Sequence, residues 1–214
     1  MEVVLKHPFT MIIAGPTGCG KTFWTLLNLC ANSSSVSDVV PKRITYYYGS
    51  NWQPIFSNYT DKVRFVKGLP DPEVFKCPHK EPQWIIIDDL MTEASDSKNI
   101  SDLFVKDSHH ENISVILLVQ NLFVRGKEFR TISLNAQYLV LFKNPRDRSI
   151  IYSLGRQVYP QAVSFLYEAY VDATKGQAFS YLFIDLKPDT PEELRVLSNL
   201  FNENGPNIIA YSPI

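Results

Sequence analysis

The sequence predicts an α/β fold built around a mostly parallel central sheet. Three observations predict it. Short apolar runs alternate with helical segments along the chain. Several of those runs, Ile85-Ile86-Ile87 and Val115-Ile116-Leu117-Leu118-Val119 above all, are apolar without alternation, as strands buried on both faces are. A glycine-rich loop joins the first run to the first helix.

Taken in order, Phe9–Ala14 reads as a strand and Lys21–Ala31 as a helix, which Asn32-Ser33-Ser34-Ser35 ends as a loop. Strands follow at Arg43–Tyr48 and Val63–Val66, and Gly68–Pro82 is a proline-rich connection. Next come a strand at Trp84–Asp88, a helix at about Lys98–Ser108 and strands at Ser114–Val119 and Tyr138–Phe142. Helices at about Ser149–Arg156 and Gln161–Val171 lead to a strand at Tyr181–Leu186. A last helix is expected over Pro191–Leu200, with Thr190 as N-cap, Pro191 at the first helical position and Glu193 completing a capping box. Residues 1–200 read as one domain and 201–214 as a loose tail.

Composition bounds the partners. The 214 residues carry a formal net charge of −1, so contact with a polyanion must come from local patches and not from a global field. Three cysteines at unrelated spacings favour a reducing compartment over a disulfide framework. Cys77-Pro78-His79 has no second pair to complete a tetrahedral site. The amino terminus is too short and broken for a signal peptide, and apolar runs of about six residues fall far below the ~20 that span a bilayer. The expectation is a soluble, intracellular protein.

Gly15-Pro16-Thr17-Gly18-Cys19-Gly20-Lys21-Thr22 matches the phosphate-binding P-loop pattern in full, after a strand and opening a helix. Glycines let the backbone wrap a phosphate without Cβ clashes, and successive N–H groups point inward at a helix N-terminus. Lys21 can reach terminal phosphates, and the Thr22 hydroxyl can ligate Mg²⁺. The expected ligands are therefore ATP and Mg²⁺.

Trp84–Asp88 runs into two carboxylates, Asp88 and Asp89. After a P-loop, Asp88 is expected to hold the metal and Asp89 to act as catalytic base; the plainer reading is a strand end entering a polar loop. Gln120, directly after Ser114–Val119, is expected to sense the γ-phosphate, with Asn121 as the alternative and a strand-end cap as the plain reading. Between Arg125 and Arg156 the basic residues Arg125, Lys127, Arg130, Lys143, Arg146, Arg148 and Arg156 face only Glu128 and Asp147. That excess suits DNA phosphates or an arginine finger for a neighbouring subunit, with Arg146 or Arg148 of Asn144-Pro145-Arg146-Asp147-Arg148 the candidates; a solvated, ion-paired surface is the alternative. His109-His110 reads as a helix end or subunit contact, Tyr46-Tyr47-Tyr48 as a core strand edge, and Trp52-Gln53-Pro54 as a surface loop, with a cover for a nucleotide base as the lesser alternative.

Together these residues resemble the poxvirus-type genome-packaging ATPases of the FtsK/HerA superfamily, most of all those of Maverick/Polinton elements and adintoviruses. The likeness runs from about residue 7 to 200. It rests on His7-Pro8-Phe9-Thr10 leading into the P-loop, Ile86-Ile87-Asp88-Asp89-Leu90-Met91, Ser108-His109-His110, Val119-Gln120-Asn121-Leu122-Phe123, Arg130–Asn135, Leu141–Asp147 and Asp185–Thr190. It implies a P-loop NTPase with a RecA-like three-layer sandwich, working as a homo-oligomeric ring around double-stranded DNA. It also implies Mg²⁺-dependent ATP hydrolysis, a capsid or portal partner, no membrane, and work in an infected host cell, in a viral factory or nucleus. The family's two-carboxylate strand end falls on Asp88 and Asp89, and its sensor position on Gln120; Arg146 is the finger candidate. A DNA pump of conjugation or helicase type without a capsid, or a nucleotide-binding module without motor activity, are the alternatives.

Overall fold

A computed structural model describes residues 3–49, 51–75, 80–90, 97–123, 126–146, 148–176, 178–201 and 207–213. The strands are β1 (Thr10–Ala14), β2 (Arg43–Tyr48), β3 (Arg64–Lys67), β4 (Gln83–Asp88), β5 (Ile113–Val119), β6 (Tyr138–Phe142), β7 (Tyr181–Asp185), β8 (Val196–Ser198) and β9 (Ile209–Tyr211). They form one sheet in the order β3-β2-β4-β5-β1-β6-β7-β8-β9. The pairs from β3 through β6 are parallel, and β7, β8 and β9 add on antiparallel. All the strands expected from the sequence form, each within a residue of its expected ends.

Alternation across the pleat divides the core in two. Met11 and Ile13 face one apolar layer, Ile12 and Ala14 the other. The first layer receives helix α1 (Lys21–Trp24), its π-helical continuation Thr25–Cys30, and the short α2 (Ser33–Val36). The second is covered by α3 (Lys98–Asp102), which runs on as a π-helical segment Leu103–Asp107 into α4 (Ser108–His110), and by α5 (Lys127–Leu134), α6 (Ser149–Val158) and α7 (Val163–Thr174). Helices on both faces of a largely parallel sheet make the three-layer sandwich. In α7 the buried residues Leu166, Ala169, Tyr170 and Thr174 recur at the spacing of one helical face. No helix among the described residues is long and apolar enough to cross a membrane.

The structure corrects three expectations and adds one helix that the sequence did not announce. The segment expected to be a helix over Pro191–Leu200 holds one 3-10 turn, Glu192–Leu194, followed by β8. Pro191 is extended at ψ 141, so the capping signals act on a turn that cannot propagate. Pairing to β7 wins because Val196 and Leu197 each gain burial, one in each layer, at a period of two. Arg195 fixes the corner, its guanidinium donating to the carbonyls of Asp185, Lys187 and Thr190. Within the segment read as a loose tail, Ile209–Tyr211 pairs with β8 as the edge strand; Asn202–Pro206 and Ile214 lie outside the described residues. Helix α5, which the sequence reading left out, buries Phe129 and Ile132 three residues apart. The serines expected to be a loop after the first helix form α2.

Candidate functional site

Parallel strands bring their carboxyl ends to one edge of the sheet, where ligands of such sheets bind. Gly15 leaves β1 there, Asp88 closes β4 with Asp89 behind it, Gln120 leaves β5, and Lys143–Arg146 follow β6. Because β5 lies between β1 and β4, Gln120 emerges between the glycine-rich loop and the carboxylates. A spacing that no local signal encodes is thus set by strand order.

The loop is tied at both ends. The Gly15 N–H donates to the Val119 carbonyl at 3.1 Å, and the Trp24 N–H donates to Gly20 O at 2.8 Å to start the helix. Gly20 has φ 96, in the left-handed region that favours glycine. The Cys19 N–H donates to Pro16 O at 3.2 Å, closing the turn. Burial pushes the Cys19 thiol up, against the pull of the Lys21 charge. The Lys21 ammonium donates to the carbonyls of Gly15 at 2.6 Å and Pro16 at 3.2 Å. A cavity of about 390 Å³ is lined by Thr17, Gly18, Gly20, Lys21, Thr22 and Phe23, by Asp88, Asp89, Leu118, Val119 and Gln120, and by Gln53 and Ile55. It gathers Thr17, Gly18, Gly20, Lys21, Thr22, Asp88, Asp89 and Gln120 of the residues singled out from the sequence; Gly15, Pro16 and Cys19 shape the loop without lining it, and Arg146 lies outside.

Asp88 is the electrostatic centre. Its Oδ2 accepts from Thr22 Oγ1 at 2.8 Å and from the Tyr46 hydroxyl at 2.6 Å. Burial holds its carboxyl above the usual carboxylate range, against the opposing pull of those two hydrogen bonds and the Lys21 charge. Burial, and then the Asp88 charge, push the Tyr46 phenol well above its ordinary value. A hydroxyl and a carboxylate 2.8 Å apart beside an anion-binding loop are hard oxygen donors of the kind Mg²⁺ takes together with phosphate oxygens and water. Among the described residues no three His, Cys, Asp or Glu side chains converge into a separate metal cluster.

Asp89 sits at φ 56, left-handed for a non-glycine residue. Its Oδ1 accepts from Gln120 Nε2 at 3.4 Å. Gly49, at the end of β2, makes room: a Cβ there would lie 2.3 Å from the Asp89 carbonyl oxygen.

Other expectations scatter. Arg146 lies in the loop after β6, exposed and outside the cavity lining, its N–H donating to Asn144 Oδ1 at 3.1 Å. Arg148 donates to the Tyr167 hydroxyl at 3.2 Å. Neither reaches the cavity of its own chain. His110 ends α4, where its carbonyl accepts from Lys80 Nζ. Cys77, Pro78, His79, Met91, Arg125 and Asp147 fall outside the described residues. Sequence reasoning missed the role of Tyr46, which it took as core. No local signal could have found it: Tyr46 pairs with Ile86, two residues before Asp88, and shares the face of that carboxylate only because β2 lies beside β4.

No protein-family model matches the sequence, and the comparison with curated proteins finds no match. Solved structures do match. B204, the DNA-packaging ATPase from Sulfolobus turreted icosahedral virus, superposes with a TM-score of 0.57 at 12% identity, covering 100% of both chains. The genome-packaging NTPase B204 from Sulfolobus turreted icosahedral virus 2 does so in complex with ATP-gammaS at 0.56, with 13% identity over 97% of this chain and 98% of that one. Its complex with AMPPCP gives 0.55 at 14% identity over 96% and 97%. The chain shares the fold of these structures, a largely parallel sheet between helical layers.

Proposed function

We propose that this chain is a Mg²⁺-dependent ATPase that drives double-stranded DNA into a viral capsid. The observation that carries the hydrolytic part is the Thr22–Asp88 contact at 2.8 Å, which joins the phosphate loop to the acidic strand end with Gln120 between them. In this reading the backbone from Gly15 to Thr22 cradles the phosphates and Lys21 swings from the loop carbonyls to the terminal ones. Thr22 and Asp88 would hold Mg²⁺, which when bound offsets charge on the phosphate oxygens. Asp89 accepts the proton of the attacking water, and Gln120, already against Asp89 Oδ1, registers the γ-phosphate. Arg146, exposed and away from its own cavity, is assigned to the site of the next subunit in a homo-oligomeric ring.

The packaging part is supported by the likeness to poxvirus-type packaging ATPases of the FtsK/HerA superfamily, Maverick/Polinton and adintovirus proteins included. A neighbour that is itself a DNA-packaging ATPase and spans the same length adds to that support. Residues 1–200 would form the ATPase unit, working in an infected cell with a capsid or portal protein as partner. The test is ATP-dependent protection of double-stranded DNA from nuclease by empty capsids mixed with the protein. Protection lost on Asp88→Ala supports packaging. DNA tracking without capsid dependence would instead favour a conjugation-type or helicase-type pump.

A further inference from the structure

Two phenylalanines stand beside the phosphate loop with no part in the chemistry above. Phe23 follows Thr22, is 42% exposed and lines the cavity. Phe179, between α7 and β7, is 47% exposed and has φ 67, a left-handed conformation that is strained for a bulky residue. Its ring lies against the other: the centroids are 5.6 Å apart with planes inclined at 33°. It also closes on the loop itself, since a Cβ at Gly20 would lie 2.0 Å from Phe179 Cδ1. A strained backbone thus holds an exposed ring at the spot where glycine lets it touch the phosphate loop, against Phe23 of the cavity wall.

We propose that Phe179 and Phe23 form the nucleobase subsite, a stacking platform for the purine ring of the nucleotide whose phosphates the loop holds. The inference rests on the nucleotide-binding reading and deepens it. Phe23 directly follows the loop and lines the same cavity, and Phe179 packs against Phe23 just outside that lining, so a nucleoside leaving the phosphate cradle past Phe23 comes to this pair. Exposed phenyl faces beside an anion site match a ligand with an anionic end and an aromatic end. Two rings with no polar atom can only read a base by stacking.

The experiment compares ATP with inorganic tripolyphosphate, which has the phosphates and no base, on the full chain with Mg²⁺. Binding is read by calorimetry and by thermal shift for the parent, Phe179→Ala and Phe179→Trp. Phe179→Ala should weaken ATP about tenfold and tripolyphosphate less than twofold, and Phe179→Trp should restore ATP. Equal weakening of both ligands would overturn the proposal, since the ring would then only shape the loop. No change in either ligand, or a change confined to the sedimentation coefficient, would also overturn it, the latter in favour of a subunit contact. Failure of both ligands to bind the parent protein would sink the nucleotide reading itself, a result distinct from the others.

Discussion

Tyr46 and Thr22 donate to the same oxygen of Asp88, Oδ2, at 2.6 and 2.8 Å. One donor comes from the strand paired to β4 and the other from the first turn of α1, so the carboxylate is clamped from two elements. Both hydroxyls on one oxygen fix the carboxylate's rotation before any ligand arrives, the preorganisation that a metal-holding side chain needs.

Tyr46→Phe removes one arm of that clamp. Stability should fall by about 1–2 kcal/mol, and the Mg²⁺ concentration for half-maximal ATP hydrolysis should rise severalfold. Thermal denaturation with and without metal, beside a Mg²⁺ titration of the rate, checks both. A loss of stability with an unchanged Mg²⁺ requirement would make the tyrosine purely structural.

Asp88→Asn should abolish hydrolysis yet stabilise the metal-free protein by about 0.5–2 kcal/mol, because it removes a buried charge while Oδ1 can still accept both hydroxyls. The sign follows from the carboxyl lying above its ordinary 3.8 in the fold. The folded state then binds the proton more tightly, so Asp88's own contribution to stability is full below 3.8 and is lost as pH rises through the folded value. The gap in melting temperature between variant and parent, measured in chelator, should therefore widen from acid towards neutral pH. A constant gap would count against a buried, charge-strained Asp88.

Gly20→Ala should cost about 1 kcal/mol more than Gly18→Ala. Both glycines have positive φ, 96 and 79, but only at Gly20 does a new methyl meet a ring. Adding Phe179→Ala should recover that difference in the Gly20→Ala background and not in the Gly18→Ala one. Denaturant midpoints of the single and double variants test the pairing.

The part of this fold legible in the sequence is the part with the least choice. Strands β4 and β5 are apolar on both faces, and Ile85–Ile87 and Val115–Val119 are at most 3% exposed. The loop glycines and the Asp88-Asp89 pair announce themselves because their chemistry needs those residue types at that spacing. Legibility fails where local and long-range terms compete. Thr190, Pro191 and Glu193 carry good helix-start signals, and a sheet edge hungry for a partner overrides them. Phe179 and Tyr46 fail differently: their roles depend on which strand lies beside which, and the order β2-β4-β5-β1-β6 is written in no short stretch of sequence.

The central claim, a nucleotide-driven motor on duplex DNA, is tested most directly by the ATP hydrolysis rate with and without double-stranded DNA, beside a Lys21→Ala control. Stimulation by DNA of any sequence is expected, lost on Lys21→Ala and falling steeply with added salt as phosphate contacts are screened. Nucleotide binding without turnover, indifferent to DNA and to protein concentration, would contradict it and leave a binding module on the same fold.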